Sequence, residues 1–244
     1  MIRRVKAALH SAFRSLGIDV IKYNAANSLE LGLPKMLRKR EISLVLDVGA
    51  NMGQYVRRLR KNGYAGKVVS FEPLAEAFGS LATYAAKDPL WECRQVALGN
   101  VDGTGVISVS RNLVSSSLLP LSKLSTDACK DSAYVRSEEV ALARMDSLWP
   151  EVVAEHDRVF LKLDVQGSEM AVLEGVDASL PGIVGVQVEL SLVPLYQGQP
   201  LLPQVLNYLC SAGFALVSID RGFADRRTGE VLQADGVFFR RSAG

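Results

Sequence analysis

The chain has 244 residues, of which 48% are hydrophobic and 22% are charged, and its formal net charge is +2. This length suits one α/β domain, and the composition is ordinary for a folded globular protein. No apolar stretch reaches the roughly 18 to 20 residues that span a bilayer, and no basic patch with interleaved aromatic residues favours nucleic acid. The cysteines, Cys93, Cys129 and Cys210, are too scattered to predict a disulfide frame or a zinc site, so a reducing cytoplasm is expected.

The N-terminal segment carries most of the positive charge. Residues 1–41 hold nine Lys or Arg against three acids, a net charge of +6, which leaves −4 for the rest. Hydrophobic residues recur at helical spacing from Ile2 to Leu16 with basic residues between them, which predicts an amphipathic helix. Two structures fit this pattern, a helix packed on the main domain and an interfacial helix on an anionic membrane. Amphipathicity alone does not distinguish them, and the packed helix is favoured. No secretory signal is expected, since the basic start lacks an apolar core and a cleavage site.

Further along the chain, a helix is predicted near residues 28–40, and strands then alternate with helices. The predicted strands are 43–48, 67–71, 92–97, 158–164, 183–189, 214–219 and 235–240, with an inserted pair at 104–110 and 138–143. The predicted helices between them are 53–62, 74–87, 168–176 and 201–212. This alternation predicts a parallel sheet with helices on both faces. The last two strands are predicted to be antiparallel, because no crossover helix fits between them.

The insertion contains a long stretch, residues 111–137, that is rich in serine. Loops of this length in a compact domain are usually functional or disordered. We therefore predict a lid over the ligand site, with Ser115, Ser116 and Ser117 as candidate contacts.

The first strand ends in a glycine-bearing turn, and the second ends in an acid. The run Asp47-Val-Gly-Ala-Asn-Met-Gly53 opens a helix, and Glu72 follows 19 residues after Gly53. This layout is typical of a nucleoside-binding βαβ unit, in which a carboxylate binds the ribose hydroxyls. A dinucleotide site would carry G-x-G-x-x-G, which is absent, and Asp47 would repel a diphosphate but attract an ammonium. The pattern favours S-adenosylmethionine over a nicotinamide dinucleotide.

Structural interpretations of the same residues stay open. Asp47 is expected near the methionine amino group of the cofactor, or it caps the following helix. Gly49 and Gly53 allow close approach of the backbone, but Gly53 could serve only the packing of the helix against the sheet. Glu72 is expected to bind the ribose rather than to be an exposed turn residue.

Acidic residues end several of the predicted strands, and ligands of open α/β sheets lie beyond the carboxyl ends of the strands. Asp164 and Glu189 are the candidates for catalysis, since methyl transfer to an unactivated hydroxyl needs an aligned oxygen and a group that takes its proton. Lys162 shares Asp164's side of the strand, so it either assists or forms a structural ion pair with Asp164 or Glu189. Glu169 lies in the first turn of a helix, where a favourable interaction with the helix dipole is a sufficient reason for an acidic residue.

With these residues in view, the chain resembles the FkbM family of S-adenosylmethionine-dependent methyltransferases. The matching segments are Asp47–Tyr55, Phe71–Pro73, Ala97–Gly99, Met145–Leu148, Leu161–Glu169 and Gln187–Glu189. The resemblance implies a Rossmann-like class I fold with a mostly parallel seven-stranded sheet and a late antiparallel strand. It also implies O-methylation, commonly of sugar or polyketide hydroxyls in natural products and glycolipids.

The resemblance also implies a set of site residues. The predicted cofactor-binding residues are Asp47, Gly49, Ala50, Asn51, Gly53, Glu72, Pro73 and Ala97, with Ala97 near the adenine. One position departs from the family: where members often read Asp-Val-Glu-Gly, this chain has Gln166. Gln166 cannot act as a base or a metal ligand as a glutamate would, so Asp164 is favoured as the base and no metal is expected.

The resulting hypothesis is a cytoplasmic O-methyltransferase, with the N-terminal helix as the candidate for peripheral contact with the membrane. Residues 1–40 are interpreted as a helical extension and residues 41–244 as the methyltransferase domain. The expected acceptor is a hydroxyl of a glycosylated lipid or a related natural product, and neither its identity nor the oligomeric state is predicted. The alternatives are a non-catalytic binding module with the same fold and a nicotinamide-dependent reductase.

Overall fold

The computed structural model of the protein describes residues 2–20 and 22–241, and it describes side chains from residue 9 onward in these ranges. The strands of this part are β1 (Leu44–Val48), β2 (Lys67–Phe71), β3 (Trp91–Arg94), β4 (Ala97–Leu98), β5 (Gly103–Ser110), β6 (Tyr134–Ala143), β7 (Val159–Leu163), β8 (Ile183–Ser191), β9 (Phe214–Arg221) and β10 (Gln233–Arg240). Its α-helices are α1 (Ile2–Ser15), α2 (Leu29–Lys39), α3 (Gln54–Lys61), α4 (Ala75–Ala85), α5 (Lys123–Ala128), α6 (Met145–Val152), α7 (Glu169–Gly175) and α8 (Leu202–Ser211).

The main sheet of the described residues has seven strands in the order β3-β2-β1-β7-β8-β10-β9. Strands β3, β2, β1, β7 and β8 are parallel, and β10 is antiparallel to both β8 and β9. Strand β10 reverses direction because residues 222–232 are too short to form a crossover helix. The predicted Rossmann-like class I fold, with its late antiparallel strand, is confirmed.

The predicted third strand, 92–97, is wrong at its C-terminal end. Strand β3 stops at Arg94, which pairs with Phe71, the last residue of β2, so the sheet offers no partner beyond this point. The chain then turns, and Ala97 in β4 pairs with Leu142 of β6. Ala97 therefore belongs to a separate three-stranded sheet with the order β4-β6-β5.

The predicted loop at 111–137 is also more ordered than expected. It contains α5 and a short 3₁₀ turn, and β6 begins at Tyr134 rather than at residue 138. The hydroxyl of Ser122 caps α5 by accepting a hydrogen bond from the Ser125 N–H at 3.4 Å. Residues 111–121 remain irregular, and several of them reach the ligand site described below, together with Ile107 of β5.

The core lies on both faces of the main sheet. Leu46 of β1 packs in one cluster of buried residues, whereas Val45 faces the opposite side and packs with Leu33 and Leu37 of α2. Each fully buried Leu or Val contributes about 1.5–3 kcal/mol. Helix α2 is therefore packed into the domain, although the predicted boundary assigns it to the extension 1–40. This packing fixes the carboxyl ends of β1, β2, β7 and β8 at one edge.

Helix α1 differs from α2 because its described side chains do not pack on the domain. Leu9, Phe13 and Leu16 are 52%, 39% and 73% exposed. The favoured expectation of a packed N-terminal helix is therefore wrong for residues 9–20, which are exposed throughout. The side chains of Arg3, Arg4 and Lys6 lie outside the described residues. Within the described part of the chain, no helix combines the length and the hydrophobicity needed to cross a bilayer.

Candidate functional site

The turn between β1 and α3 lies directly against the loop that follows β7. Gly49, Asn51 and Gly53 have φ values of +75°, +48° and +79°, which lie in the left-handed region. A Cβ atom on Gly49 would overlap the carbonyl oxygen of Asp164, so only glycine allows this approach of the two backbones. At Gly53 a Cβ atom would lie 2.7 Å from the ring of Trp91, which makes packing a sufficient reason for this glycine.

Glu72, just beyond β2, presents its carboxylate to this turn. One oxygen accepts the Asn51 N–H at 2.8 Å and the other accepts the Leu74 N–H at 2.9 Å. The residue is only 5% exposed. Burial raises the pKa of the Glu72 carboxyl to about 7, although the two N–H donors act in the opposite direction. The carboxylate is thus held in a fixed orientation, and each oxygen keeps a lone pair for a ligand.

A cavity with about 700 Å³ of empty space, part of it open to solvent, lies in front of Glu72. Of the residues predicted from the sequence, the cavity is lined by Gly49, Asn51, Glu72, Pro73, Ala97, Asp164, Ser116 and Ser117. Apolar walls next to a fixed carboxylate suit a nucleoside, whose base is apolar on its faces and whose ribose donates hydrogen bonds.

The predicted residues that do not line this cavity lie behind it or beside it. They are Asp47, Ala50, Gly53, Lys162, Glu189 and Ser115. Ala50 and Gly53 belong to the turn itself, and both residues are buried. Asp47 and Lys162 form a buried pair. Glu189 belongs to a second group, with Asp164 and Gln166.

Asp47 is completely buried and is paired with Lys162. The Lys162 Nζ lies 3.1 Å from Asp47 Oδ1, and the Ser70 hydroxyl donates to Asp47 Oδ2 at 3.0 Å. The strand register causes this, because Asp47 pairs directly with Ser70 on one side and with Lys162 on the other. The charge of Asp47 is therefore compensated within the sheet.

Lys162 also supports the glycine turn. Its Nζ donates to the carbonyl oxygens of Val48 and Gly49 at 3.3 and 2.9 Å, and it lies 3.6 Å from Asp164 Oδ2. Burial lowers the pKa of Lys162, but the charges of Asp47 and Asp164 outweigh it, so the pKa is raised overall. Lys162 stays protonated and is unable to accept a proton.

Asp164 and Glu189 are brought together by the amide of Gln166. The Gln166 Nε2 donates to Asp164 Oδ1 at 2.7 Å and to Glu189 Oε2 at 3.1 Å. Glu189 also accepts from Gln233 Nε2 at 2.6 Å. Burial, together with the charge of Asp164, raises the pKa of Glu189 well above its ordinary value. The side chain of Asp164, by contrast, is 43% exposed and lines the cavity.

Gln166 further connects these carboxylates with the irregular segment 111–121. Its carbonyl oxygen accepts the Ser117 hydroxyl at 2.6 Å, and its Oε1 accepts the Tyr196 hydroxyl at 2.8 Å. Residue 166 has φ of +53°, so its backbone is turned into the left-handed region to reach these partners. The segment that contributes Ser116 and Ser117 to the cavity wall is therefore tied to Gln166 through the Ser117 hydroxyl.

Three polar residues of this site were not predicted from the sequence. Gln54 lines the cavity, and Gln166 was noted only for its departure from the family pattern. Glu169 was explained by the helix dipole, but it is 2% exposed and accepts the Val165 and Gly167 N–H groups at 3.2 Å each. Burial raises its pKa to about 7. Position in the sequence could have indicated two of these residues, since Gln54 directly follows the glycine turn and Gln166 lies two residues after Asp164.

Among the described residues, no group of three His, Cys, Asp or Glu side chains is arranged to hold a metal ion. The site is thus built from a cavity that is lined by a fixed, buried carboxylate, Glu72, and by the more exposed carboxylate of Asp164. These features fit a reaction in which a nucleoside cofactor delivers a group to an acceptor next to Asp164.

Two solved structures share this fold. One, described as methyltransferase FkbM from Methylobacillus flagellatus KT, has a TM-score of 0.50 and 14% identity over 81% of this chain and 43% of that chain. The other, a putative methyltransferase from Thermobifida fusca YX, has a TM-score of 0.50 and 11% identity over 87% of this chain and 79% of that chain. The chain thus spans less than half the length of the Methylobacillus protein. At such identities the likeness shows the fold alone.

No curated protein matches the sequence. The family model of the methyltransferase FkbM domain, however, matches residues 47–216, which is more than half of the chain. The matched region contains the glycine turn, Glu72, the irregular segment 111–121 and both candidate catalytic carboxylates. The chain belongs to the FkbM family of S-adenosylmethionine-dependent methyltransferases.

Proposed function

We propose that this methyltransferase acts on a hydroxyl group, and that Asp164 orients the hydroxyl and takes its proton. The carrying observation is the placement of Asp164, whose half-exposed carboxylate lines the cofactor cavity and is held by Gln166 and Lys162. S-adenosylmethionine supplies a methyl group that is already activated by its sulfonium. The acceptor oxygen would bond to the methyl carbon as the carbon–sulfur bond breaks, and the hydroxyl proton would pass to Asp164.

The cofactor would be held mainly by the turn after β1 and by Glu72. Glu72 is proposed to accept hydrogen bonds from both ribose hydroxyls, and Ala97 to lie against the adenine. The backbone of Gly49, Ala50 and Asn51 would follow the cofactor closely, which the positive φ angles of this turn support. Pro73 would complete the wall next to Glu72.

Glu189 and Lys162 are proposed to act through Asp164. Burial and the charge of Asp164 raise the pKa of Glu189 well above its ordinary value, and Gln166 holds Glu189 beside Asp164. Lys162 stays charged and would fix Asp164 together with the glycine turn. Both are positioning residues in this proposal, and of the three only Asp164 would touch the acceptor.

The proposed acceptor is a sugar hydroxyl of a glycosylated lipid or a related natural product. The family resemblance suggests it, and the polar groups near Asp164 support it. Asp164, Gln166 and Ser116 line the cavity together, and such groups bind hydroxyl-rich molecules through several hydrogen bonds. We also propose that residues 1–40 precede a methyltransferase domain at 41–244, with α2 packed against it.

Helix α1 is proposed to bring this domain to the cytoplasmic surface of an anionic membrane. Support comes from the exposed Leu9, Phe13 and Leu16 and from the net charge of +6 over residues 1–41. Apolar and basic groups on one helix suit the boundary between lipid tails and anionic headgroups. Lipid-linked acceptors would be found at the same surface.

The proposal is tested by measuring S-adenosylhomocysteine release from S-adenosylmethionine with a panel of glycosylated lipids and polyhydroxylated natural products. Asp164→Asn should lose at least about a hundredfold in turnover, the lower range for a general base, and should still bind S-adenosylhomocysteine. Asp127→Asn, at an exposed position on α5, is the matched control and should keep full activity. Cofactor binding without product from any acceptor of the panel would contradict the proposal and favour the non-catalytic module. Undiminished turnover in Asp164→Asn would exclude Asp164 as the base.

A further inference from the structure

Tyr196 lies in the loop between β8 and α8 and brings its hydroxyl to the side-chain amide of Gln166. The residue is 2% exposed, and its hydroxyl donates to Gln166 Oε1 at 2.8 Å. The carbonyl oxygen of Ser115 lies farther from the hydroxyl, at 3.3 Å. Burial raises the pKa of the Tyr196 hydroxyl, and the charges of neighbouring carboxylates act in the same direction. The hydroxyl therefore keeps its proton and serves as a donor.

The loop that carries Tyr196 is fixed by hydrogen bonds of its own. Gln199 Oε1 accepts the N–H groups of Leu195 and Tyr196 at 2.9 and 3.2 Å. The Nε2 of the same glutamine donates to Ser191 Oγ at 2.6 Å. A Cβ atom on Gly167 would lie 3.0 Å from the Tyr196 ring, so the ring packs directly on the turn that follows β7. The hydroxyl is thus held in place against this turn.

The hydrogen bond from Tyr196 bears on which end of the Gln166 amide faces the two carboxylates. With Oε1 bound by the tyrosine, Nε2 donates to Asp164 Oδ1 and to Glu189 Oε2 at 2.7 and 3.1 Å. A rotated amide would place its oxygen against these carboxylate oxygens, and Glu189 Oε2 already accepts from Gln233 Nε2 at 2.6 Å. The tyrosine therefore stabilises the orientation in which the amide holds Asp164.

We propose that Tyr196 is a positioning residue for methyl transfer, because it fixes the Gln166 amide that orients Asp164. The inference rests on the proposed function, in which Asp164 takes the proton of the acceptor hydroxyl. Tyr196 does not line the cofactor cavity, so it acts through Gln166 and not by contact with the cofactor. A carboxylate that turns away from the acceptor oxygen slows the reaction, because the aligned geometry is lost.

The test follows the carboxyl carbon of Asp164 by NMR in protein made with isotopically labelled aspartate, which requires no acceptor. The Asp164 signal is the one that is missing from Asp164→Asn. Tyr196→Phe, which keeps the ring, should shift this signal, and so should Gln166→Met. In the double variant the tyrosine change should add nothing. Tyr208→Phe is the matched control and should leave the signal unchanged, because its hydroxyl donates to the Leu173 carbonyl oxygen at 3.2 Å and not to Gln166.

Turnover with the acceptor panel described above supplies the second readout. Tyr196→Phe should lower kcat about tenfold, as for the loss of one hydrogen bond, and leave the KM for S-adenosylmethionine unchanged. Combined with Gln166→Met, it should cause no further loss.

An unmoved Asp164 signal in folded Tyr196→Phe, or a tyrosine effect that persists without the Gln166 amide, would overturn the positioning role. Should Tyr196→Phe not fold, an unmoved Asp164 signal in Gln166→Met would overturn it equally. If no acceptor of the panel is methylated, the proposed function fails, whereas the Asp164 signal still decides whether Tyr196 orients this carboxylate.

Discussion

Among single residues, the buried Glu72 bears most directly on the proposed contact with the ribose of the cofactor. Its pKa is raised to about 7, and only the ionised form can accept both ribose hydroxyls on its two oxygens. Protonation at lower pH converts one oxygen into a donor and removes an acceptor. We predict that the affinity for S-adenosylhomocysteine rises between about pH 6 and about pH 8, and that Glu72→Gln loses this rise. Calorimetric titration across this pH range measures it.

Glu169 provides the control for this pH dependence. Its carboxyl also has a pKa of about 7 because of burial, but it accepts backbone N–H groups beneath the cavity and does not line it. Glu169→Gln keeps an oxygen for these N–H donors and should therefore retain the rise in affinity. If Glu169→Gln abolished the rise and Glu72→Gln preserved it, the ribose contact would be assigned to the wrong carboxylate.

Between secondary-structure elements, the Asp47–Lys162 pair joins β1 to β7 and supports the glycine turn. Removing one member of a buried pair leaves an uncompensated charge, which typically costs 3–5 kcal/mol. We predict that Lys162→Met lowers the free energy of unfolding by about this amount, because Asp47 is then buried with only the Ser70 hydroxyl as a partner. Urea unfolding, followed by circular dichroism, measures the change.

The double variant separates loss of charge balance from loss of packing. Asp47→Asn combined with Lys162→Met removes both charges and leaves an amide that still accepts from Ser70. It should recover a large part of the stability lost in Lys162→Met alone. A double variant no more stable than Lys162→Met would show that Lys162 stabilises β7 through its bonds to the Val48 and Gly49 carbonyl oxygens rather than through Asp47.

For the molecule as a whole, the sequence predicted what depends on local pattern and missed what depends on register. The fold and the cofactor class were predicted from the apolar runs of β1 and β7 and from the spacing between Gly53 and Glu72. The burial of Asp47 follows from its pairing with Lys162 across two strands that are distant in sequence. Gln166 likewise gains its partners from β8 and from the irregular segment 111–121, which no spacing along the chain reveals.

Helix α1 is the part of the molecule that we propose to contact an anionic membrane. Residues 9–20 are exposed although their apolar residues recur at helical spacing, and each basic residue near an anionic surface contributes about 1 kcal/mol of attraction. We predict that replacing Arg3, Arg4 and Lys6 with Gln weakens binding to phosphatidylglycerol vesicles at least about tenfold, as measured by vesicle flotation. The matched control replaces Lys61, Lys87 and Lys123, which are exposed on the domain, and should bind as the wild type does. Equal loss in both triple variants would indicate a response to net charge alone, and α1 would then have no specific role at the membrane.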